Sequence, residues 1–262
     1  MTIGIIGAGN MGGAIARGIA AGGNIAVADI TVTSPNRHGE LDALKADFPD
    51  LCVATDNRQA TGADVIIVAV KPWLLDEVMS EIADSIDFAQ QILVSIVAGA
   101  SLEHLAAFSK STATPAVFRV IPNTAIAVGE SMTFIASANA TSEQVGCVTD
   151  IFSNLGKVMV VEERLMGAGT AIASCGIAYV MRYVRAATEA GVELGMRADD
   201  AKKAMLQTLI GAARLLEATG SNPEAEIDKV TTPGGLTIKG LNAMERYGFT
   251  TAVIEGLKAS MK

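Results

Sequence analysis

Three glycines early in the chain have the spacing of a phosphate-binding turn. Gly7, Gly9 and Gly12 follow an apolar run at Ile3–Ile6 and precede a helix-compatible stretch at Ala14–Ala21. In a strand–turn–helix unit the first glycine allows the bend, the second lets the backbone approach a pyrophosphate, and the third lets the helix pack on the strand. The free N–H groups of the helix would hold the phosphates, so we predict a dinucleotide site.

A second polar cluster follows the next predicted strand, Ile25–Thr33. Asp29 stands about where an acidic residue would bond the adenosine ribose in an NAD site. The strand, however, leads on to Ser34, Asn36 and Arg37, whose hydroxyl, amide and guanidinium suit a 2′-phosphate. We therefore predict NADP, with NADPH preferred over NADH. The alternative is an ordinary turn followed by a solvated arginine.

Lys71 follows an uninterrupted apolar strand, Val65–Val70. Such a strand is expected in a parallel sheet that is covered on both faces. Ligands bind outside the carboxyl ends of parallel strands, so Ala69, Val70 and Lys71 are predicted to lie on the ribose and nicotinamide side of the cofactor. The alternative for Lys71 is a plain surface lysine in a loop.

A second glycine loop, Thr232-Pro-Gly-Gly-Leu-Thr237, lies far along the chain. Pro-Gly-Gly favours a tight turn, and Leu236–Tyr247 is predicted to be the helix that follows it. N–H groups at Gly234 and Gly235 before a helix form an anion nest for a carboxylate or a phosphate. The hydroxyls of Thr232 and Thr237 can bond a polar atom of a substrate. The alternative is an ordinary capped turn.

The chain has few of the usual general acids and bases. Its two histidines, His38 and His104, are each predicted to be surface or structural residues. With only these two histidines, a Ser/His/Asp triad or a histidine-based metal site has few residues to form it, and we predict no metal. None of the three tyrosines is followed by lysine four residues later, and no lysine lies between Lys157 and Lys202. Both observations point away from alcohol oxidation.

Composition predicts a soluble, cytoplasmic protein. A net charge of −8 and a pI near 4.8 argue against nucleic-acid binding, which needs a basic face. Cys52, Cys147 and Cys175 show no CxxC spacing, which fits a reducing compartment. The longest uncharged run, Leu165–Met181, is shorter than the ~20 residues of a membrane helix. We predict a buried helical region there and no membrane contact.

Strand and helix signals alternate up to about residue 161. This alternation predicts an α/β fold, a Rossmann-like doubly wound and mostly parallel sheet over residues 1–161. Beyond it, apolar residues recur at helical spacing in Val180–Leu194 and Ala201–Leu216, which predicts an all-helical domain over residues 162–262. These helices are too apolar for a monomer. Four small residues would allow close packing at an oligomer or domain interface: Gly167, Gly169, Ala173 and Gly176.

Taken together and in this order, the motifs resemble those of pyrroline-5-carboxylate reductase, the enzyme family that makes proline. The resemblance covers nearly the whole chain, and several motifs in the right order are more specific than any one of them. The most diagnostic stretch is the loop from Val230 to Thr237. The matching stretches are 6–12, 70–72, 94–99, 119–123, 189–192, 207–213 and 230–237.

The resemblance implies an N-terminal Rossmann domain, a C-terminal helical domain for dimerisation and substrate binding, and a site where the two meet. It implies reduction of L-1-pyrroline-5-carboxylate to L-proline, by hydride transfer from a nicotinamide to a cyclic imine. Thr237 would be the catalytic residue, hydrogen-bonded to the ring nitrogen. The predicted substrate residues are Thr232, Gly234, Gly235, Leu236 and Thr237. The predicted cofactor residues are Gly7, Gly9, Asn10, Met11, Gly12, Ser34, Asn36, Arg37, Asn57, Ala69, Val70 and Lys71.

The expected macromolecular partner is a second copy of the chain, in a homodimer or a higher oligomer of dimers. Two alternatives for the function stay open. One is another NAD(P)-dependent imine or 2-hydroxyacid reductase on the same architecture. The other is a nucleotide-sensing dimer that does no chemistry, since fold alone does not determine function.

One segment departs from the family pattern. The chain has Ala-Ser-Cys-Gly-Ile-Ala-Tyr at residues 173–179, where the family usually has Ser-Gly-Ser-Gly-Pro-Ala-Tyr. Without the proline, the helix is expected to run on through Ile177. Cys175 replaces a hydroxyl, which changes the contacts available to this part of the helix.

Overall fold

The computed structural model describes residues 1–110 and 114–261. The chain divides into two compact units, Met1–Ser174 and Cys175–Lys262. The helical segment that begins at Glu163 thus belongs to the first unit as far as Ser174. The domain limits expected from the sequence, 1–161 and 162–262, stay a prediction.

One sheet of eight strands forms the centre of the first unit. The strands are β1 (Ile3–Ile6), β2 (Ile30–Thr33), β3 (Cys52–Ala54), β4 (Val65–Val68), β5 (Ile92–Ser95), β6 (Val117–Ile121), β7 (Ser131–Ala138) and β8 (Gly156–Val160). Their order is β3-β2-β1-β4-β5-β6-β7-β8. Neighbouring strands are parallel except for β6 and β7, which are antiparallel. The predicted fold class is confirmed.

Helices cover both faces of this sheet. They are α1 (Asn10–Gly22), α2 (His38–Asp47), α3 (Leu75–Ile82), α4 (Leu102–Ala106), α5 (Ser142–Ser153) and α6 (Met166–Gly169). Successive strand residues point to opposite faces. Ile5 accordingly joins the apolar cluster beneath α1, α2 and α5, whereas Ile6 joins the cluster beneath α3 and α4. A strand buried on both sides needs apolar residues at every position, as β1 and β4 have.

Two predicted strands are longer than the observed ones. The first part of Ile25–Thr33 is a 3₁₀ turn at Val27–Asp29, and the strand begins at Ile30, opposite Ile3, where β1 also begins. Val65–Val70 likewise stops at Val68, opposite Ile6. β1 has four residues, so its neighbours have no ladder partner beyond those four. The length of the neighbouring strand β1 sets where β2 begins and where β4 ends, and the local propensities of β2 and β4 do not contain that length.

The second unit contains only helices among its described residues. They are α7 (Gly176–Glu193), α8 (Ala198–Thr219), α9 (Pro223–Val230), α10 (Leu236–Arg246) and α11 (Phe249–Ala259). Gly195 and Gly220 have φ of +96° and +61° and end α7 and α8, as predicted. α7 packs on α8, and a Cβ at Gly191 would lie 2.7 Å from Ala201 Cβ.

Apolar side chains of this unit are mostly exposed in the single chain. Among its described residues only Gly176 and Ala201 are buried. Tyr179, Val180, Leu206 and Ile210 are each 42–52% exposed. Large exposed apolar surface marks an interaction site, so this unit has the surface of a partner interface.

A long helical segment links the two units. It consists of a 3₁₀ turn at Glu163–Leu165, α6, a π-helical turn at Thr170–Cys175, and α7. α7 continues through Ile177, as expected from the missing proline. Within the first unit, Arg119 Nη1 of β6 lies 3.6 Å from Glu163 Oε1, and Asn123 Nδ2 donates to Ala173 O at 3.4 Å. These contacts fix the segment on β6.

Leu165–Met181 was predicted to be a buried helical region. The region is helical, but part of it is exposed. Met166 and Ala171 are buried, whereas Ile172 and Met181 are 62% and 59% exposed. Among the described residues, this 31-residue helical segment is the one that is long and apolar enough to cross a membrane. Core helices of soluble proteins pass the same test of length and composition.

Candidate cofactor and substrate sites

The glycine turn after β1 lies where β1 and β4 end. Gly7 N–H donates to Thr33 O at 2.7 Å, and Ala69 N–H donates to Ile6 O at 2.8 Å. Gly7 has a φ of +107°, and a Cβ there would lie 2.6 Å from Ala69 O. A Cβ at Gly12, in the first turn of α1, would lie 1.9 Å from Gly7 O. The fold therefore requires glycine at both positions.

Gly9 differs from the other two glycines of the turn. It is the N-cap of α1, with φ −70° and no side-chain capping bond, and nothing lies within 4 Å of a Cβ built on it. Neither backbone strain nor a neighbouring atom of the chain requires glycine here. The open space lies at the helix start, where Asn10 and Met11 follow, and the helix dipole there favours an anion. The residues present therefore fit a pyrophosphate.

The chain after β2 forms the predicted 2′-phosphate loop. Ser34 is buried and its N–H donates to Ala54 O at 3.1 Å, whereas Asn36 and Arg37 are exposed. Arg37 is the N-cap of α2, and its Nη1 donates to Glu40 Oε1 at 2.6 Å. This hydrogen bond holds the pKa of the Glu40 carboxyl below its usual value. The Arg37 guanidinium is thus paired with a carboxylate of its own helix.

Asp29 lies at the wrong end of β2 to contact a ribose. The 3₁₀ turn that contains it precedes the strand, and β2 runs away from it toward Ser34. Ligands of parallel sheets bind at the carboxyl ends of the strands. The acidic contact of an NAD site is therefore not available from Asp29.

Asn57 is a buried amide, 3% exposed, between two side chains. Thr33 Oγ1 donates to Asn57 Oδ1 at 3.2 Å, and Asn57 Nδ2 donates to Glu81 Oε2 at 3.0 Å. Thr33 and Glu81 therefore fix the orientation of the amide. In that orientation the amide keeps a further N–H and a further lone pair for a ligand. Sequence reasoning missed Thr33 and Glu81 because each lies 24 residues from Asn57 along the chain.

The residues after β4 lie beside the glycine turn. A Cβ at Gly7 would lie 3.3 Å from Val70 Cγ1, so Ala69 and Val70 are adjacent to the turn as strand direction predicts. Both are half-buried, and Lys71 is exposed at the start of a 3₁₀ turn. The Lys71 side chain is therefore free to reach a ligand at this edge.

The second glycine loop is a tight turn that leads directly into α10. Gly235 N–H donates to Thr232 O at 2.9 Å, and Gly234 has a φ of +71°. A Cβ at Gly235 would lie 2.5 Å from Thr232 Oγ1 and 3.0 Å from Thr232 O, so a side chain there would displace the Thr232 hydroxyl. Gly235 is the N-cap of α10 and has no side-chain capping bond, and Thr237 is exposed in the first turn.

This geometry changes one detail of the predicted anion nest. The N–H of Gly235 is bonded within the turn, so that glycine shapes the loop and does not serve as a donor. The first-turn N–H groups of α10, beginning at Leu236, point out of the helix start, as at any helix N-terminus. The loop thus offers a helix start and the Thr237 hydroxyl to a polar ligand.

Other ionisable groups contribute little chemistry. No group of three or more His, Cys, Asp and Glu could hold a metal within residues 1–110 and 114–261. His104 Nε2 lies 2.7 Å from Asp76 Oδ1, and its ring packs edge-on against Phe108. These contacts join α3 to α4, and His38 begins α2. Both histidines are exposed, and of the two it is the His104 side chain that makes these contacts.

The fold and the glycine turn define the class of protein: a Rossmann-type oxidoreductase that uses a nicotinamide nucleotide. The family described as NADP oxidoreductase coenzyme F420-dependent matches residues 2–99, and that described as pyrroline-5-carboxylate reductase dimerisation matches residues 163–262. Pyrroline-5-carboxylate reductase of Synechocystis sp. is 36% identical over 99% of this chain and 96% of its own length. The chain belongs to the pyrroline-5-carboxylate reductase family.

Other similar proteins agree with this assignment. Pyrroline-5-carboxylate reductase 1 of Dictyostelium discoideum is 36% identical over 98% of this chain, which spans 48% of that longer protein. A crystal structure of Plasmodium falciparum pyrroline carboxylate reductase with NADP bound superposes with a TM-score of 0.88 and 28% identity. That superposition covers 99% of this chain and 95% of the other. The chain is accordingly an oxidoreductase of proline biosynthesis, and the family expected from the motifs is confirmed.

Proposed function

We propose that this chain reduces L-1-pyrroline-5-carboxylate to L-proline with NADPH. The observation that carries the proposal is the loop from Thr232 to Thr237. It is a glycine turn that opens an uncapped helix and leaves the Thr237 hydroxyl exposed in the first turn. A phosphate-binding turn serves many dehydrogenases, whereas this loop suits a small ligand with one carboxylate and one ring nitrogen.

The proposed cofactor residues follow the carboxyl edge of the sheet. The N–H groups of Asn10, Met11 and Gly12 would hold the pyrophosphate, the open space at Gly9 would leave room for it, and Gly7 allows the bend of the turn. Asn57 bonds the ribose through the amide positions that Thr33 and Glu81 leave unused. Ala69 and Val70, which are half-buried, and Lys71, which is exposed, would lie beside the nicotinamide.

NADPH is proposed to be preferred over NADH. The support is the loop of Ser34, Asn36 and Arg37, because a guanidinium matches the 2′-phosphate geometrically and electrostatically. Asp29 lies at the other end of β2, so the loop lacks that acidic contact for an unmodified ribose.

The substrate residues orient the imine and stabilise its charge. The N–H groups at the start of α10, beginning at Leu236, hold the carboxylate, and Gly234 and Gly235 give the turn its shape. Thr232 supports the turn through its carbonyl, which accepts the Gly235 N–H. Thr237 Oγ1 accepts a hydrogen bond from the protonated ring nitrogen.

When bound, NADPH supplies the hydride, which passes from carbon 4 of the nicotinamide to carbon 5 of the ring. The proton on the imine nitrogen stays there and becomes the N–H of proline. Because an imine is basic and binds already protonated, the protein needs no strong general acid. Orientation supplies the catalysis, which matches the few titratable groups found.

The chain is proposed to act as a soluble, cytoplasmic homodimer or a higher oligomer of dimers, with no nucleic-acid or membrane partner. Support for self-association is the exposed apolar surface of the second unit and the dimerisation family that it matches. Support for the compartment is that Cys52, Cys147 and Cys175 are free thiols. The net charge of −8 supports the absence of a nucleic-acid partner.

The test is consumption of NADPH by the purified protein with pyrroline-5-carboxylate, followed by the loss of reduced-nicotinamide absorbance. Formation of proline, measured by chromatography, is the expected product readout. Parallel reactions with NADH and with a 2-hydroxyacid plus NADP⁺ serve as controls. Absence of turnover with either reduced nicotinamide would refute the proposal, and turnover of the 2-hydroxyacid alone would support the alternative reductase.

A further inference from the structure

We infer that Glu40 determines cofactor specificity by competing with the 2′-phosphate of NADPH for Arg37. This inference rests on the proposed function, in which Arg37 binds that phosphate. It adds a residue that opposes NADPH binding. Glu40 thereby narrows the preference that Arg37 creates.

The first support is the geometry of the pair. Arg37 Nη1 and Glu40 Oε1 are 2.6 Å apart, and each side chain is 47% exposed. A guanidinium that donates to a carboxylate at this distance has fewer donors left for a phosphate. Binding of a 2′-phosphate at Arg37 therefore requires the Glu40 contact to break or to be shared between two anions.

The second support is the position of Glu40 in α2. Arg37 is the N-cap and Glu40 is the third helical residue, in the first turn, where the helix dipole favours a negative charge. This helix start and the guanidinium are the two groups that would attract a phosphate. Glu40 already places a carboxylate beside both of them.

The third support is that the carboxylate stays ionised. The hydrogen bond from Arg37 lowers the pKa of Glu40, so the group keeps its negative charge near neutral pH. A phosphate brought to Arg37 therefore meets a fixed like charge. The neighbouring Ser34 is neutral and buried, and Asn36 is neutral and exposed, so neither offsets that charge.

The experiment measures binding of adenosine 2′,5′-bisphosphate and of adenosine 5′-monophosphate to the full-length protein by calorimetry. These probes report the 2′-phosphate contact without the nicotinamide or the imine substrate. Glu40→Gln is expected to lower the Kd of the bisphosphate by about threefold to fivefold, on the scale of an exposed ion pair. The Kd of the monophosphate should stay within about twofold on the same scale.

Two controls make the result specific. Glu255→Gln removes a carboxylate of similar exposure that pairs with Lys258 at 2.7 Å on α11, and it should change neither Kd. Arg37→Ala combined with Glu40→Gln should lose the gain, because the competition needs the guanidinium. The ratio of kcat/KM for NADPH to that for NADH should rise in Glu40→Gln by the same factor as the bisphosphate affinity.

Unchanged or weaker binding of the bisphosphate by Glu40→Gln would overturn the inference, and weaker binding would mean that Glu40 preorganises Arg37. If the parent protein binds both nucleotides equally, the Arg37 assignment fails, and the inference fails with it. Failure of imine reduction alone leaves these binding measurements intact. Failure of the inference about Glu40 can therefore be distinguished from failure of the proposed imine reduction.

Discussion

Replacing Gly9 with alanine is predicted to weaken cofactor binding without destabilising the fold. The free protein has room for the methyl group, since nothing lies within 4 Å of the built Cβ and φ is −70°. Alanine is a poorer N-cap than glycine, which lowers the free energy of unfolding by roughly 0.5–1 kcal/mol. Alanine also reduces the conformational entropy of the unfolded chain, which raises the free energy of unfolding by about 0.4–1 kcal/mol. These two effects nearly cancel, so stability should change little.

Gly12→Ala is the matched comparison within the same turn. A Cβ there would lie 1.9 Å from Gly7 O, a backbone atom that cannot rotate away. Overpacking of this kind costs about 1–3 kcal/mol or more. For a unit of this size that corresponds to a fall in Tm of about 2–12 °C. Gly9→Ala should stay within about 2 °C of the parent protein.

The binding effect of Gly9→Ala comes from the space that the methyl group would take from the pyrophosphate. Losing a charge-assisted hydrogen bond costs about 1.5–3 kcal/mol, so the Kd of NADPH should rise ~10-fold or more. Titration by nicotinamide fluorescence measures the Kd, and a thermal melt measures the Tm on the same samples. An unchanged Kd would refute the pyrophosphate assignment, and a Tm as low as that of Gly12→Ala would refute the argument from open space.

Three further predictions concern other parts of the chain. Thr237→Ala should lower kcat/KM for the imine ~10-fold or more, and Thr208→Ala on α8, whose hydroxyl bonds its own helix, should not. An unchanged value would remove Thr237 from the reaction. Arg37→Ala should weaken NADPH far more than NADH, and equal losses would contradict its role. Burial raises the pKa of the Cys147 thiol, which leaves less thiolate at a given pH. Iodoacetamide at about pH 8 should therefore modify the exposed Cys52 before Cys147, by mass spectrometry, and the reverse order would show that Cys147 is not shielded.

Local sequence signals predicted the parts of the molecule that depend on near neighbours. Gly7, Gly195 and Gly220 have positive φ, a backbone conformation that glycine adopts readily, so the first bend of the glycine turn and the two helix ends are visible in the sequence. The Arg37–Glu40 pair was also visible in principle, as opposite charges three residues apart on a helix.

The features that the sequence did not predict depend on contacts between distant segments. Glu81 meets Asn57 because α3 packs beside the turn after β3, and no short-range pattern records that. Strand β2 begins at Ile30 because β1 begins at Ile3. The π-helical turn at Thr170–Cys175 was likewise not predicted, and Asn123 bonds a carbonyl within it. Tertiary pairing thus decided element ends and side-chain partners.

The length of the helical segment after Glu163 is matched to the length of strand β6. The segment starts beside Arg119 in the middle of that strand, and it reaches Asn123, just past the strand end, at Ala173. The ten steps from Glu163 to Ala173 cover about 15 Å of helix. The four from Arg119 to Asn123 cover about 13 Å of extended chain. Helix and strand therefore advance together in the same direction.

The equal lengths of the helical segment and of β6 determine where the last residues of the first unit lie. β6 runs in the same direction as β1, since both belong to the parallel part of the sheet, β3-β2-β1-β4-β5-β6, so its end lies at the edge of the sheet where Gly9 lies. One residue added between Glu163 and Ala173 would shift Ala173 along the helix by about 1.5 Å and rotate it by about 100°, which would break its hydrogen bond with Asn123. The spacing between Glu163 and Ala173 therefore sets where along β6 the first unit ends.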